Sequence, residues 1–366
     1  MKAILCFCAL IARISFASAA SNYPQLPALN IDITQTSVSG ISSGGFMAVQ
    51  LAVAYSSIIK GVGVVAAGPY YCSQSDIRIA TTRCSCTIAP ASSCDVTPAS
   101  ASVPALVTFT KTSATSHLIE DVANLRRQRV ITFSGAKDAT VPRPVVTQLI
   151  GYYAALGTPA QNVSKIELPN AGHTMPTVDY GVPCSATESP FIGKCGYDAA
   201  RVILSWIYGP NPLQPPSATT PKGRFIRFDQ SRYVPEGKSS FFGSSTGMDT
   251  SGWLYVPASC SAGTPCRLHV ALHGCEQGQD YLPLQSPPGG GLFYGTTFVR
   301  NAGYAKWADN NRIVVLYPQA VSIPLSNPNG CWDWWGYTDR HFADQQGIQM
   351  RAIRNMIDRL TSGAAH

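Results

Sequence analysis

Short apolar runs without polar alternation recur along the chain: Gly61-Val62-Gly63-Val64-Val65-Ala66-Ala67, Val130-Ile131-Thr132-Phe133, Leu268-His269-Val270-Ala271-Leu272 and Ile313-Val314-Val315-Leu316-Tyr317. A run apolar on both faces predicts a strand covered on both sides, as in a parallel sheet. Lys165-Ile166-Glu167-Leu168, Arg224-Phe225-Ile226-Arg227-Phe228 and Trp253-Leu254-Tyr255-Val256 read as further strands. Helical stretches are predicted from Phe46 to Ala54, near Ile119 to Leu125, around Val145 to Leu156, from about Ala199 to Tyr208 and from about Ala343 to Leu360. Strand alternating with helix is the rhythm of an α/β fold with a doubly wound, mostly parallel sheet. The Pro-rich segment from Gly209 to Pro216 removes donors and fixes φ, so residues 209–222 read as a surface connector. No internal repeat is visible.

One junction in this pattern carries chemistry. Gly40-Ile41-Ser42-Ser43-Gly44 fits G-x-S-x-G and lies between the short β-run Thr36-Ser37-Val38-Ser39 and the first helical stretch. In such an elbow the serine sits on a tight strand-to-helix turn with its hydroxyl in the open, which makes Ser42 a candidate nucleophile.

The two ends of the chain and its cysteines change the picture next. Met1-Lys2, an apolar core from Ala3 to Ala12 and the A-x-A site Ala17-Ser18-Ala19 predict a secretory signal peptide over residues 1–20. The apolar core is too short to span a membrane, and no later stretch reaches the roughly 20 apolar residues a spanning helix needs. Residues 21–366 are then one exported catalytic domain, extracellular, or periplasmic in a Gram-negative host where export stops there. Removing Cys6 and Cys8 leaves Cys72, Cys84, Cys86, Cys94, Cys184, Cys195, Cys260, Cys266, Cys275 and Cys331, an even set suited to disulfides. Cys184/Cys195 and Cys260/Cys266 are close enough in sequence for local staples, Cys72, Cys84, Cys86 and Cys94 cluster without a unique pairing, and Cys275 and Cys331 remain by elimination. A zinc site in that cluster is disfavoured by C-x-C spacing without a nearby histidine. The formal charge of +7 is scattered apart from Arg126-Arg127-Gln128-Arg129, which reads as a solvated helix end and not a nucleic-acid surface. With 13% charged residues, the composition excludes a disordered chain or a basic tail.

A serine nucleophile needs a base, and the base needs an acid that fixes its tautomer. Asp138 follows the Val130 to Phe133 strand through Ser134-Gly135-Ala136-Lys137, and His173 follows the Lys165 to Leu168 strand through Pro169-Asn170-Ala171-Gly172. That is the order serine, acid, histidine on strand-end loops expected of an α/β-hydrolase. His117, His269 and His341 read as structural or solvated; Asp121 and Asp179 are weaker acids for the role. The tetrahedral intermediate needs two N–H donors, and the amide of Ser43 at the start of the elbow helix supplies one. The second usually follows an earlier strand with a His-Gly signature. Here His273-Gly274-Cys275 closes the Leu268 to Leu272 strand, far after the serine. The order is rotated, as in a circularly permuted fold whose last helix would feed the elbow strand in an unpermuted relative.

The chain resembles the single-domain, circularly permuted extracellular poly(3-hydroxybutyrate) depolymerases, with related short-chain polyester esterases behind them. The matching stretches are Ser37 to Met47, Gly247-Met248-Asp249-Thr250-Ser251-Gly252-Trp253-Leu254-Tyr255-Val256-Pro257, Leu268 to Cys275, and Asn327-Pro328-Asn329-Gly330-Cys331-Trp332-Asp333-Trp334. The resemblance implies an α/β-hydrolase fold, Ser42, Asp138 and His173 as a triad, the amides of Ser43 and Cys275 as the oxyanion hole, and Trp332 as an aromatic wall of the subsite cleft. It also strengthens the Cys275 to Cys331 pair. The neighbouring Trp334 and Trp335 stand between wall and core.

The function expected is hydrolysis of poly(3-hydroxybutyrate) or a related short-chain polyhydroxyalkanoate through an acyl-enzyme. No metal or organic cofactor is implied. The expected partner is a polyester polymer or oligomer, met by a monomer without nucleic acid or membrane. Two alternatives stay open: an esterase for acetylated or feruloylated polysaccharide, and a non-catalytic polymer-binding protein.

Overall fold

The computed structural model describes residues 22–88, 90–216, 222–235, 246–284, 286 and 291–364. The signal peptide expected over residues 1–20, with Cys6 and Cys8, and positions 217–221 of the connector lie outside the described residues. The main sheet is built from β1 (Ile31–Ile41), β2 (Ile59–Val65), β3 (Arg129–Gly135), β4 (Val163–Leu168), β5 (Arg224–Asp229), β6 (Ser251–Val256), β7 (Cys266–Leu272) and β8 (Ile313–Tyr317). The principal helices are α1 (Ser43–Ala54), α2 (Val103–Thr115), α3 (Arg143–Ala155), α4 (Ala199–Tyr208), α5 (Tyr304–Asn310) and α6 (Ile348–Thr361).

Across the sheet the strands lie in the order β4-β3-β2-β1-β7-β8-β6-β5. Only β6 runs against its neighbours. Counted from β5 as first strand round to β4 as eighth, the spatial order is 1-2-4-3-5-6-7-8 with the second strand reversed, which is the α/β-hydrolase succession in a circularly permuted chain. The rotation closes physically where expected: the Leu29 amide, just before β1, donates to the Leu360 carbonyl in α6 at 2.9 Å.

α4 and α5 cover one face of the sheet, while α1 and α6 pack against β1 from the other. The sequence explains why the centre tolerates polar residues. Ser37 and Ser39 of β1 are fully buried, and each bonds a ring nitrogen of His269 on β7, Nδ1 at 2.7 Å and Nε2 at 2.8 Å. The same two hydroxyls reach Tyr208 of α4 at 2.7 Å and Tyr304 of α5 at 2.6 Å. The Tyr208 hydroxyl donates onward to the Leu268 carbonyl at 2.9 Å. One directed chain satisfies every group: Tyr304 to Ser39, Ser39 to His269 Nε2, His269 Nδ1–H to Ser37, Ser37 to Tyr208. Burial pushes the His269 imidazole down to about 3, so it stays neutral, one nitrogen donating and the other accepting.

Two predicted helices differ from the observed ones. The stretch near Ile119 to Leu125 is a 3₁₀ turn over Val122–Arg127, capped by Asp121 through the Ala123 amide at 2.8 Å. The regular helix forms earlier, as α2, on a Ser/Thr-rich span whose buried stripe holds only Leu106, Thr110 and Ser113. α6 begins at Ile348 instead of Ala343, because Asp344 turns the chain first, accepting from the Gln346 amide at 2.7 Å and from His341 at 2.8 Å. Among the described residues no helix is long and apolar enough to cross a membrane.

Candidate active site

β1 ends in the elbow. From Thr36 to Ser56 every residue is buried except Ser42. Ser42 has φ 55° and ψ −125°, a conformation that L side chains rarely adopt and that costs on the order of 1–3 kcal/mol. The surroundings hold it: its amide donates to the Val65 carbonyl at 2.9 Å and its carbonyl accepts from Phe46 at 3.0 Å. The glycines of the motif are required by close approach. A Cβ at Gly40 would lie 2.2 Å from the Gly44 carbonyl oxygen, and one at Gly44 would lie 2.2 Å from that of His273. Gly44 is thus the point where the elbow helix meets the end of β7.

β3 and β4 deliver the next two groups. Asp138 is 6% exposed; its Oδ1 accepts the Thr140 and Val141 amides at 2.9 and 2.8 Å, and its Oδ2 lies 2.9 Å from His173 Nδ1. With both carboxylate oxygens engaged as acceptors, the His173 proton sits on Nδ1 and Nε2 is left with a lone pair. The two loops touch because Gly135 has no side chain; a Cβ there would be 2.2 Å from the Ala171 oxygen. A small three-stranded sheet (Met175–Thr177, Val182–Pro183, Ile192–Lys194) and the Cys184–Cys195 disulfide follow immediately. They hold His173 through the Gly172 amide on the Cys184 carbonyl at 2.8 Å and the His173 amide on Thr187 Oγ1 at 2.9 Å.

β7 brings the fourth part. His273 is fully buried; its Nε2 accepts the Ala320 amide at 3.0 Å and its Nδ1–H donates to the Gly274 carbonyl at 2.6 Å. Burial pushes this imidazole down to about 4, which keeps it neutral and structural. Gln277 accepts the Gly274 amide at 2.7 Å, and the Glu276 amide donates to Asn329 at 2.7 Å. Among the described residues the Cys275 and Ser43 amides find no acceptor. Cys275 is bonded to Cys331, Cys260 to Cys266, Cys72 to Cys84 and Cys86 to Cys94, the last two pairs being those the sequence left open.

These elements all end at the carboxyl edge of the sheet, where ligands bind in open α/β folds. They open on a cleft of about 540 Å³ lined by Ser42 and His173, by Gly274 and Cys275, and by Ile77 and Thr87 of the disulfide-stapled insertion. Phe46, Trp334 and Trp335 give it an aromatic wall. Phe46 and Trp334 stack at 4.0 Å.

Trp332, expected as the aromatic wall, does not line this cleft and is 0% exposed. Its indole Nε1 donates inward to the His273 carbonyl at 3.0 Å, a bond a surface position would forfeit. Trp334 and Trp335 take the wall position in its place. They are presented by Asp333, which accepts the Gly336, Tyr337 and Thr338 amides at 2.7, 3.0 and 2.9 Å. Burial pushes the Asp333 carboxyl up to about 6 despite those donors.

The sequence reading missed the buried amides that set these loops. Gln50 Nε2 donates to the Asp333 carbonyl at 3.0 Å, Gln349 Oε1 accepts the Asp333 amide at 2.8 Å, and Asn327 brackets Cys331 at 2.8 and 2.9 Å. The one usable signal was polar side chains inside helices that otherwise read as buried. Among the described residues no group of three or more His, Cys, Asp or Glu could hold a metal ion.

Strand order and elbow together place the chain in the α/β-hydrolase class. It matches no protein-family profile. It is 38% identical over 353 residues to the polyhydroxybutyrate depolymerase of Talaromyces funiculosus, covering 92% of this chain and 93% of that protein. It is 43% identical over 341 residues to the poly(3-hydroxybutyrate) depolymerase of Delftia acidovorans, covering 92% of this chain but 62% of that relative's length. Two solved structures superpose over 93% of this chain and 100% of theirs at 35% identity: PHB depolymerase from Penicillium funiculosum, TM-score 0.77, and a serine-to-alanine PHB depolymerase complexed with an R3HB trimer, TM-score 0.78. The chain belongs to the poly(3-hydroxybutyrate) depolymerase family, whose members are carboxylic ester hydrolases.

Proposed function

We propose that the protein is a secreted, monomeric serine esterase that hydrolyses poly(3-hydroxybutyrate) or a related short-chain polyhydroxyalkanoate. The observation that carries this reading is that the strained Ser42 and the Asp138-paired His173 open on the same apolar-walled cleft. The relative bound to an R3HB trimer supports the substrate class. Five disulfides and the signal-like first 20 residues support export.

Ser42 Oγ attacks the ester carbonyl while its proton passes to His173 Nε2. Asp138 holds the imidazole in the Nδ1–H tautomer and stabilises the imidazolium. The Ser43 and Cys275 amides receive the oxyanion. As the intermediate collapses, the C–O bond to the leaving chain breaks and His173 returns the proton to the departing alkoxide. Water, deprotonated by the same imidazole, then releases the acid and restores the serine.

A solid polyester must first be adsorbed. The exposed Ile77 and Leu325 on the cleft rim are apolar side chains placed to meet it.

The test compares release of 3-hydroxybutyrate from polymer film with hydrolysis of aryl esters and acetylated or feruloylated sugars. The expected result is release from film by the wild type and a loss of about 10⁶-fold in kcat for Ser42→Ala. No release from film with brisk cleavage of sugar esters would favour the polysaccharide esterase. Binding to film with no esterase activity of any kind would favour a non-catalytic role.

A further inference from the structure

A second, much smaller cavity of about 10 Å³ lies between the ends of β3 and β4, where Asp138, Ser134 and Thr174 line it among apolar residues and glycines. It shares no lining residue with the cleft and has room for about one water molecule. Ser134 belongs to β3, and Thr174 follows His173 directly, so the cavity joins the two segments that present the acid and the base. Ser134 is 3% exposed and Thr174 is 2% exposed, yet neither hydroxyl finds a hydrogen-bond partner among the described residues. Leaving one buried hydroxyl unpaired is costly, and here two meet at one polar cavity. Asp138 supplies the third polar group. A carboxylate offers about four lone-pair positions. Oδ1 fills two of them with the Thr140 and Val141 amides, and Oδ2 fills one with His173 Nδ1, so one position on Oδ2 is left.

We propose that Ser134 and Thr174 are positioning residues that hold one ordered water against the Asp138 carboxylate and so fix the acid to the base. This deepens the esterase reading and rests on it. The two hydroxyls donate to the water oxygen, and the water donates one proton to the remaining position on Asp138 Oδ2. The water then makes three hydrogen bonds, the usual number for a buried one. Neither side chain touches substrate, since both lie outside the cleft. Their effect reaches the chemistry through Asp138. Two backbone amides pin Oδ1, whereas Oδ2 is held within the protein by the imidazole alone. A water behind Oδ2 stops the carboxylate from swinging as the imidazolium forms, which is when its orientation matters most.

The experiment has two arms, both on the full secreted protein. A crystal structure of the wild type at a resolution that shows ordered water is expected to place one density peak within hydrogen-bond distance of Ser134 Oγ, Thr174 Oγ1 and Asp138 Oδ2. An empty cavity overturns the proposal. The second arm is kinetic, on p-nitrophenyl butyrate, with kcat counted per serine titrated by a fluorophosphonate. Ser134→Ala and Thr174→Val each remove one hydroxyl at nearly constant volume. Each is expected to lose about three- to tenfold in kcat with KM within about twofold, while Thr174→Ser stays within about twofold of wild type. The double variant is expected to lose no more than about twofold beyond either single change, because both hydroxyls act through one water. Losses that multiply would overturn the shared water. A lower thermal midpoint with kcat per titrated serine unchanged would overturn the positioning role. The crystallographic arm needs no variant, so it decides the matter even where a variant fails to fold. Esterase activity surviving Ser42→Ala would remove the underlying esterase reading instead, and the density peak does not depend on it.

Discussion

β1 to β4 and, the reversed β6 apart, β5 to β8 end at the same edge of one sheet, yet they arm it differently. The first half ends in Ser42, Asp138 and His173, with His173 paired to Asp138 and lining the cleft beside Ser42. The second half contributes backbone and walls: the Cys275 amide, the disulfide to Cys331 and the Trp334–Trp335 surface. Both halves contain histidines, and the contrast between them is instructive. His173 has a carboxylate on Nδ1 and a cleft before Nε2. His269 and His273 have both nitrogens engaged inside the protein and are held neutral by burial. The residue type offers acid–base chemistry; what faces each ring nitrogen decides whether that chemistry is used.

The sharpest way to break the contrast lies in the first half. Asp138→Asn keeps the shape of the loop but removes the acceptor that fixes the His173 tautomer. A drop in kcat of about 10⁴-fold on soluble ester is expected, with little change in thermal midpoint. A modest drop would mean that another group orients the imidazole.

The second half should answer to pH through stability. His269 and His273 are held down at about 3 and about 4, while in the unfolded chain they protonate near 6.5. Unfolding therefore takes up protons below about pH 6.5. The stability these groups contribute is complete above that pH and falls progressively as pH drops toward 4 and then 3. Asp249 and Asp333, raised to about 6, act with the opposite sign: their share is present below about 3.8 and lost as pH rises through 6. The difference between variant and wild type separates the terms. His269→Asn should be less stable at pH 7.5, with a gap that closes by about one proton's slope between pH 6.5 and 4 in urea titrations. Parallel curves for the two proteins would contradict the neutral assignment.

The smallest effect is expected at the rim. Leu325 is 97% exposed beside the cleft, so Leu325→Asp should leave soluble-ester kinetics within about twofold and lower film adsorption by several-fold. Equal losses on both substrates would assign Leu325 to the cleft and not to adsorption.

Much of this was legible along the chain for local reasons. A buried parallel strand needs a continuous apolar run, a strand-to-helix elbow needs glycines, and a serine, aspartate and histidine on strand-end loops keep their order under rotation. The observed β8 and α4 coincide with the runs at Ile313–Tyr317 and Ala199–Tyr208. α2 was missed because Ser/Thr-rich helices with a thin buried stripe carry little period, and Trp332 was misplaced for a different reason. Cys331-Trp332-Asp333-Trp334-Trp335 places three indoles within four residues, and nothing local says which way an irregular loop turns each one.

Chain order and residue type were enough to propose Ser42, His173 and Asp138 as one set, because those choices rest on motifs a few residues long. The separation of Ser43 from Cys275, the burial of Trp332, the placement of Trp334 and Trp335 on the cleft and the neutrality of His269 and His273 arise where segments far apart in sequence pack together. Such contacts depend on shape and on the burial of polar groups against particular partners, quantities that exist only once the sheet has assembled.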